Sequence, residues 1–160
     1  MATADGALVK LSFLELIGTQ LAKFLTKEHI QNDAYYRISI DDIKSILKPG
    51  DVVLVEGQSR VSSAIQFITN SNWSHAAVFI GKTDFFNHCL IEVKAVDGCT
   101  YTDINTYMHH NLRVCRPIFL DKRKKKILID YLVKKIGAKY DLKNIIDLIR
   151  YIYPNPPIPK

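Results

Sequence analysis

The chain has 160 residues, of which 48% are hydrophobic and 24% charged, a size and balance that fit one globular domain with a single core. Its three cysteines, Cys89, Cys99 and Cys115, are odd in number and lack CxxC spacing, which argues against both a disulfide framework and a zinc site. The formal charge of +6 is concentrated in Lys122-Arg123-Lys124-Lys125-Lys126, a run suited to acidic partners such as phospholipid headgroups, nucleic acid or anionic polymers, without choosing among them.

From Leu8 to Leu25, the residues Val9, Leu11, Phe13, Leu14, Ile17, Leu21, Phe24 and Leu25 form an apolar stripe of near-helical period. Lys10, Glu15, Gln20 and Lys23 interrupt it, so it is too short and too charged to span a bilayer, which takes about 20 mostly apolar residues. An amphipathic helix of this kind packs on its own domain or lies on a membrane surface. No basic region precedes the stripe and no lipid-accepting cysteine follows it. The expectation is therefore a cytoplasmic protein, with attachment to a membrane surface as the second possibility.

Ser39 to Leu47 predicts a short helix, stopped by Pro49 and Gly50. Asp51 to Glu56 predicts a strand whose unbroken apolar centre implies burial on both faces. Val61, Ala64, Ile65 and Ile68 have helical spacing behind Ser59, a suitable N-cap. Next comes Trp73-Ser74-His75-Ala76-Ala77-Val78-Phe79-Ile80-Gly81, an apolar strand with a histidine at its mouth. The turn Gly81-Lys82-Thr83-Asp84 leads to a strand over Leu90-Ile91-Glu92-Val93. Asp97-Gly98 is a tight-turn signal, and Leu112 to Arg116 alternates apolar and basic residues as a further strand.

Asp121 can cap a helix running to Ile136, with Gly137 as its stop. The five-cation run would sit in the first turns of that helix, where cations oppose the helix dipole. Asp141 can cap another helix carrying Ile145, Ile146, Leu148, Ile149 and Ile152. Pro154, Pro156, Pro157 and Pro159 then forbid further helix. Connections this short favour an antiparallel sheet flanked by helices, an α+β fold. Three segments result: an N-terminal amphipathic helix over 1–30, a folded domain over 31–153 and a proline-rich end over 154–160. No glycine-rich phosphate loop is present, so nucleotide chemistry is not expected. No specific nucleic-acid partner is expected either.

If the two strands carrying His75 and Glu92 pair, an imidazole and a carboxylate meet on one sheet. That is the base and the orienting acid of a nucleophilic site, without its nucleophile. None of the three cysteines begins a helix, where the dipole would favour a thiolate, and buried, inert thiols are the simpler reading. Cys99, after Asp97-Gly98, is the one expected to be exposed. His88 and the pair His109-His110 are poorly spaced for a metal site and read as surface histidines, and no metal or cofactor is expected. Trp73, Phe79, Phe85 and Phe86 read as core residues or as the lining of a groove for an acyl chain or peptide.

Gly50-Asp51-Val52-Val53-Leu54-Val55, the Trp73 to Gly81 strand, Ile91-Glu92-Val93 and Ala138-Lys139-Tyr140-Asp141 occur in an order that resembles the circularly permuted papain-like amidases and peptidases of the YiiX type. Relatives of that family include the lecithin retinol acyltransferase group and bacterial cell-wall endopeptidases. The resemblance covers roughly residues 48 to 153 and implies a permuted papain-like fold. It also implies that His75 is the general base and Glu92 the residue that fixes its tautomer, for hydrolysis of an amide or ester bond in a peptide, acyl or lipid substrate. The family's cysteine nucleophile lies downstream of the Tyr-Asp helix, and no cysteine follows Asp141 in this sequence. Two expectations follow. Either the sequence is a shortened form of a longer enzyme, which the proline segment favours, or it is a binding module that has lost catalysis and uses Lys122, Arg123, Lys124, Lys125 and Lys126 on a membrane surface or other polyanion.

Overall fold

Five antiparallel strands form one sheet in the order β4-β3-β2-β1-β5 in the computed structural model, which describes residue 27 and residues 38–139. They are β1 (Val52–Val55), β2 (His75–Gly81), β3 (Cys89–Lys94), β4 (Gly98–Asp103) and β5 (Leu112–Cys115). Among the described residues three helices accompany them, α1 (Ile40–Ile46), α2 (Arg60–Thr69) and α3 (Lys122–Val133), with a 3-10 turn over Ile104–Tyr107. The fold is α+β, as the sequence predicts. The expected helices over Leu8–Leu25 and after Asp141, and the proline-rich end, lie outside the described residues. Among the described residues no helix is long and apolar enough to cross a membrane.

Local chemistry sets the helix boundaries. The Ser39 hydroxyl accepts from the Asp41 N–H at 3.3 Å, Asp41 and Asp42 occupy the first turn, and α1 ends at Ile46, with Leu47 as its extended C-cap ahead of Pro49. Ser59 caps α2 by accepting from the Ser62 N–H at 3.1 Å, and Asn70 ends that helix in the left-handed region at φ 48°. Asp121 accepts from the Lys124 N–H at 2.8 Å and starts α3. The α-helix stops at Val133, short of the expected Ile136. Tighter turns carry the chain on to Gly137, whose φ of 84° ends it where the sequence indicates.

Strand parity places the core. Val55 pairs with His75 and Val53 with Ala77, and Ala77 pairs in turn with Glu92, so these side chains share one sheet face. Val53, Val55, Ala77, Phe79 and Leu90 pack on that face against Ile43 of α1 and against Ile104 and Tyr107. The expectation that β1 is buried on both faces is corrected: Val53 and Val55 are buried, but Val52 and Leu54 are only half-buried. An unbroken apolar run reports that both faces are compatible with burial, whereas the described core covers one of them.

A strand absent from the sequence reading is β4. Asp97-Gly98 closes a hairpin between β3 and β4, with Lys94 opposite Gly98, rather than leading toward β5. Thr100, Tyr101 and Thr102 carry the β-branched and aromatic character of a strand, so the signal was present. β4 is an edge strand, and its outer side is met by the chain after α3: the Cys99 N–H donates to the Ala138 carbonyl and the Gly137 N–H to the Cys99 carbonyl, both at 2.8 Å. Gly98 permits this approach, since a Cβ there would lie 2.3 Å from the Ala138 oxygen.

Asp51 ties α1, β1 and the end of β5 together. Its buried carboxylate accepts from Arg116 Nε at 2.8 Å and Nη2 at 2.7 Å, and from the Lys48 N–H at 2.8 Å. Arg116 Nη2 also donates to the Ile46 carbonyl at 2.6 Å. Burial alone would raise the Asp51 pKa, yet the Arg116 and Lys48 hydrogen bonds and the nearby charges of Arg116 and Lys125 leave it below the ordinary value. Asp51→Asn removes the charge from a two-pronged pair and is expected to cost about 2 kcal/mol of stability, read as a lower midpoint in urea unfolding.

Candidate active site

His75 opens β2 and Glu92 lies near the far end of β3, on the adjacent strand. Because Ala77 is directly opposite Glu92, His75 is the same-face neighbour two residues away, close enough for a diagonal contact. The structure brings the pair together: His75 Nε2 lies 2.5 Å from Glu92 Oε2. The Glu92 side chain is fully buried and the His75 side chain is 27% exposed, so the imidazole lies between the acid and the solvent.

Three further donors converge on the same carboxylate. Thr102 of β4 and Tyr107 of the 3-10 turn each donate a hydroxyl hydrogen bond to it, and Lys94 Nζ stands 3.1 Å from Oε1. Burial by itself pushes the Glu92 pKa up, but the hydrogen bonds from His75, Thr102 and Tyr107, with the charge of His75, outweigh it and pull the value from 4.5 to about 2. Glu92 is therefore ionised at neutral pH. An ionised carboxylate only accepts, so the proton shared with His75 belongs on Nε2, and in the neutral ring the lone pair is on Nδ1. Among the described residues no hydrogen bond occupies Nδ1.

Lys94, Thr102 and Tyr107 were not singled out from the sequence. Lys94 was legible, since period two puts residues 92 and 94 on one face of a strand. Thr102 needed β4 to be recognised. Tyr107 carries no local signal: it arrives through the 3-10 turn that Asp103 caps by accepting from the Asn105 N–H at 2.7 Å.

All three thiols lie on the other face of the sheet. Cys89 precedes core-facing Leu90, Cys99 pairs with Val93 beside the Glu92–Thr100 pair, and Cys115 pairs with Val52 beside Val53–Val114. Strand parity therefore points each of them away from His75. The expected exposure of Cys99 is corrected: it is buried at 6%, because the chain after α3 covers it. Burial raises the thiol pKa of both Cys89 and Cys99. His110 is likewise not a surface histidine. It is buried and meets Tyr107 edge-on at 5.5 Å. His88 is half-buried and stacks on Phe79, and His109 is exposed. Of the aromatic residues weighed as a groove lining, Phe79 belongs to the core and Phe85 is at the surface against Tyr101.

Residues 46–151 match the family described as permuted papain-like amidase enzyme, YaeF/YiiX, C92 family. The chain belongs to that family. No curated protein matches it. The matched span runs from the end of α1 through the five strands described and α3, so His75, Lys94, Thr102 and Tyr107, the donors to Glu92, all lie inside it.

Glu92 also links stability to pH. Its folded pKa is depressed, so its stabilisation is complete above the ordinary 4.5 and is lost as pH falls through about 2. The loss amounts to about 3 kcal/mol. Glu92→Gln is expected to flatten the stability profile across that acid window, as followed by denaturant unfolding at a series of pH values.

Proposed function

We propose that His75 and Glu92 are the proton-handling pair of a cysteine-hydrolase-type site acting on the carbonyl of an amide or ester, in a peptide, acyl or lipid substrate. The observation that carries this reading is the contact between the partly exposed imidazole and the buried, ionised carboxylate, 2.5 Å apart. With Nε2 held by Glu92, Nδ1 is the nitrogen that takes the thiol proton as sulfur attacks the carbonyl. The same proton then passes to the departing amine or alcohol, and water releases the acyl group from sulfur in a second step. Glu92 orients the ring and stabilises the imidazolium that forms in between. Thr102 and Tyr107 act through Glu92 as positioning residues, since each holds one of its oxygens.

The thiol served by His75 is none of Cys89, Cys99 and Cys115, which strand parity puts on the opposite face. The 160 residues by themselves are thus expected to be inactive or nearly so. A panel of amides, esters and thioesters tests this with the wild-type chain, a variant with all three cysteines changed to alanine, and His75→Ala. The cysteine-free variant is expected to behave as wild type. Any hydrolysis above background is expected to fall about 10²- to 10⁴-fold in His75→Ala. Robust turnover that disappears with Cys99→Ala, or that ignores His75→Ala, would overturn the proposal.

A further inference from the structure

Between β5 and α3 the chain makes a turn at Ile118-Phe119, and these two large apolar side chains are 88% and 86% exposed. The turn is anchored on both sides. Arg116 is held by Asp51 through two hydrogen bonds, and Leu120 packs on Gly50, where a Cβ would lie 2.8 Å from its methyl carbon. Pro117 stiffens the approach. Two anchored neighbours thus project a short apolar tip that the described fold does not use.

The five-cation run adjoins that tip. Lys125 is the one that turns inward, with its chain against Gly50 and its charge near Asp51. Lys122, Arg123, Lys124 and Lys126 remain exposed. Farther along α3, Ile127 and Tyr131 are 59% and 57% exposed, one helical turn apart, and Lys134 and Lys135 follow in the exposed segment beyond the helix. The acid nearest the tip, Asp121, is engaged as the helix cap and pairs with Lys124 at 3.7 Å. The surface therefore combines an aliphatic and aromatic tip with a cationic collar and exposed apolar residues along the helix.

We infer that this surface docks on an anionic lipid membrane, with Ile118 and Phe119 entering the headgroup and acyl boundary while the exposed cations of α3 meet anionic headgroups. The combination distinguishes a membrane from a nucleic acid. Cations serve both, but an aliphatic residue held at the apex of a turn gains nothing from phosphate backbones and gains its transfer free energy in lipid. The cations beside the tip also account for a run that opposes the dipole of its own helix. This inference does not rest on the hydrolase reading and would stand without it.

Co-sedimentation of the full chain with phosphatidylcholine vesicles containing about one-third phosphatidylglycerol tests it. Binding is expected to these vesicles, to weaken as salt rises, and to be absent with phosphatidylcholine alone. Phe119→Ser is expected to lower the partition constant about tenfold or more, and each charge removed among Lys122, Arg123, Lys124 and Lys126 about fivefold. Both changes are at exposed positions, so thermal melts of the variants should match the wild type. No vesicle binding, or binding that both variants retain, overturns the inference. So does binding to duplex DNA as tight as to vesicles and indifferent to Phe119→Ser.

Discussion

A carboxylate sealed inside a sheet face is tolerable only if its charge is met from every side, and Glu92 is met by an imidazole, two hydroxyls and an ammonium group. Left unmatched, burial of that charge would cost several kcal/mol or force protonation. The four donors come from β2, β4, the 3-10 turn and β3 itself, so meeting the charge requires most of the sheet to be in register. A one-residue slip of β3 would send Glu92 to the other face and bring Ile91 or Val93 among the donors. The same contacts orient the His75 ring, because a carboxylate held ionised can only accept, and this leaves the lone pair of the neutral ring on Nδ1.

Parity divides the sheet into two chemistries. On one face are the acid, the imidazole and the apolar core under α1. On the other are three thiols, two of them buried, with pKa values that burial raises. A cysteine on a strand next to Glu92 is close in sequence and still inaccessible to His75, because a strand exposes successive residues to opposite sides.

A buried carboxylate paired with an exposed arginine organises the opposite end of the sheet. Asp51 and Arg116 join the start of β1 to the end of β5 and hold the C-terminus of α1 through the Ile46 carbonyl. Gly50, beside Asp51, offers its bare backbone to Leu120 and Lys125, which fixes where α3 starts. One end of the sheet thus carries the imidazole and carboxylate, while the other sets the position of the basic helix and the turn before it.

The sequence by itself determined the elements whose signals are local. Ser59 and Asp121 are caps where they were expected, the first helix begins beside Ser39, Gly137 ends the turns after α3, and the strands bearing His75 and Glu92 begin and end within two residues of their apolar runs. It also determined the pairing of His75 with Glu92 as a candidate, through strand order and residue type. Tertiary structure decided what depends on which strands become neighbours. It inserted β4 between the Asp97-Gly98 turn and β5, buried Cys99 and His110, limited the described core to one face of β1, and brought Thr102 and Tyr107 to the carboxylate. Caps, turns and periodicity act over a few residues and can be read along the chain. Burial, and the donors that make a buried charge stable, come from residues that meet only when the sheet has closed around them.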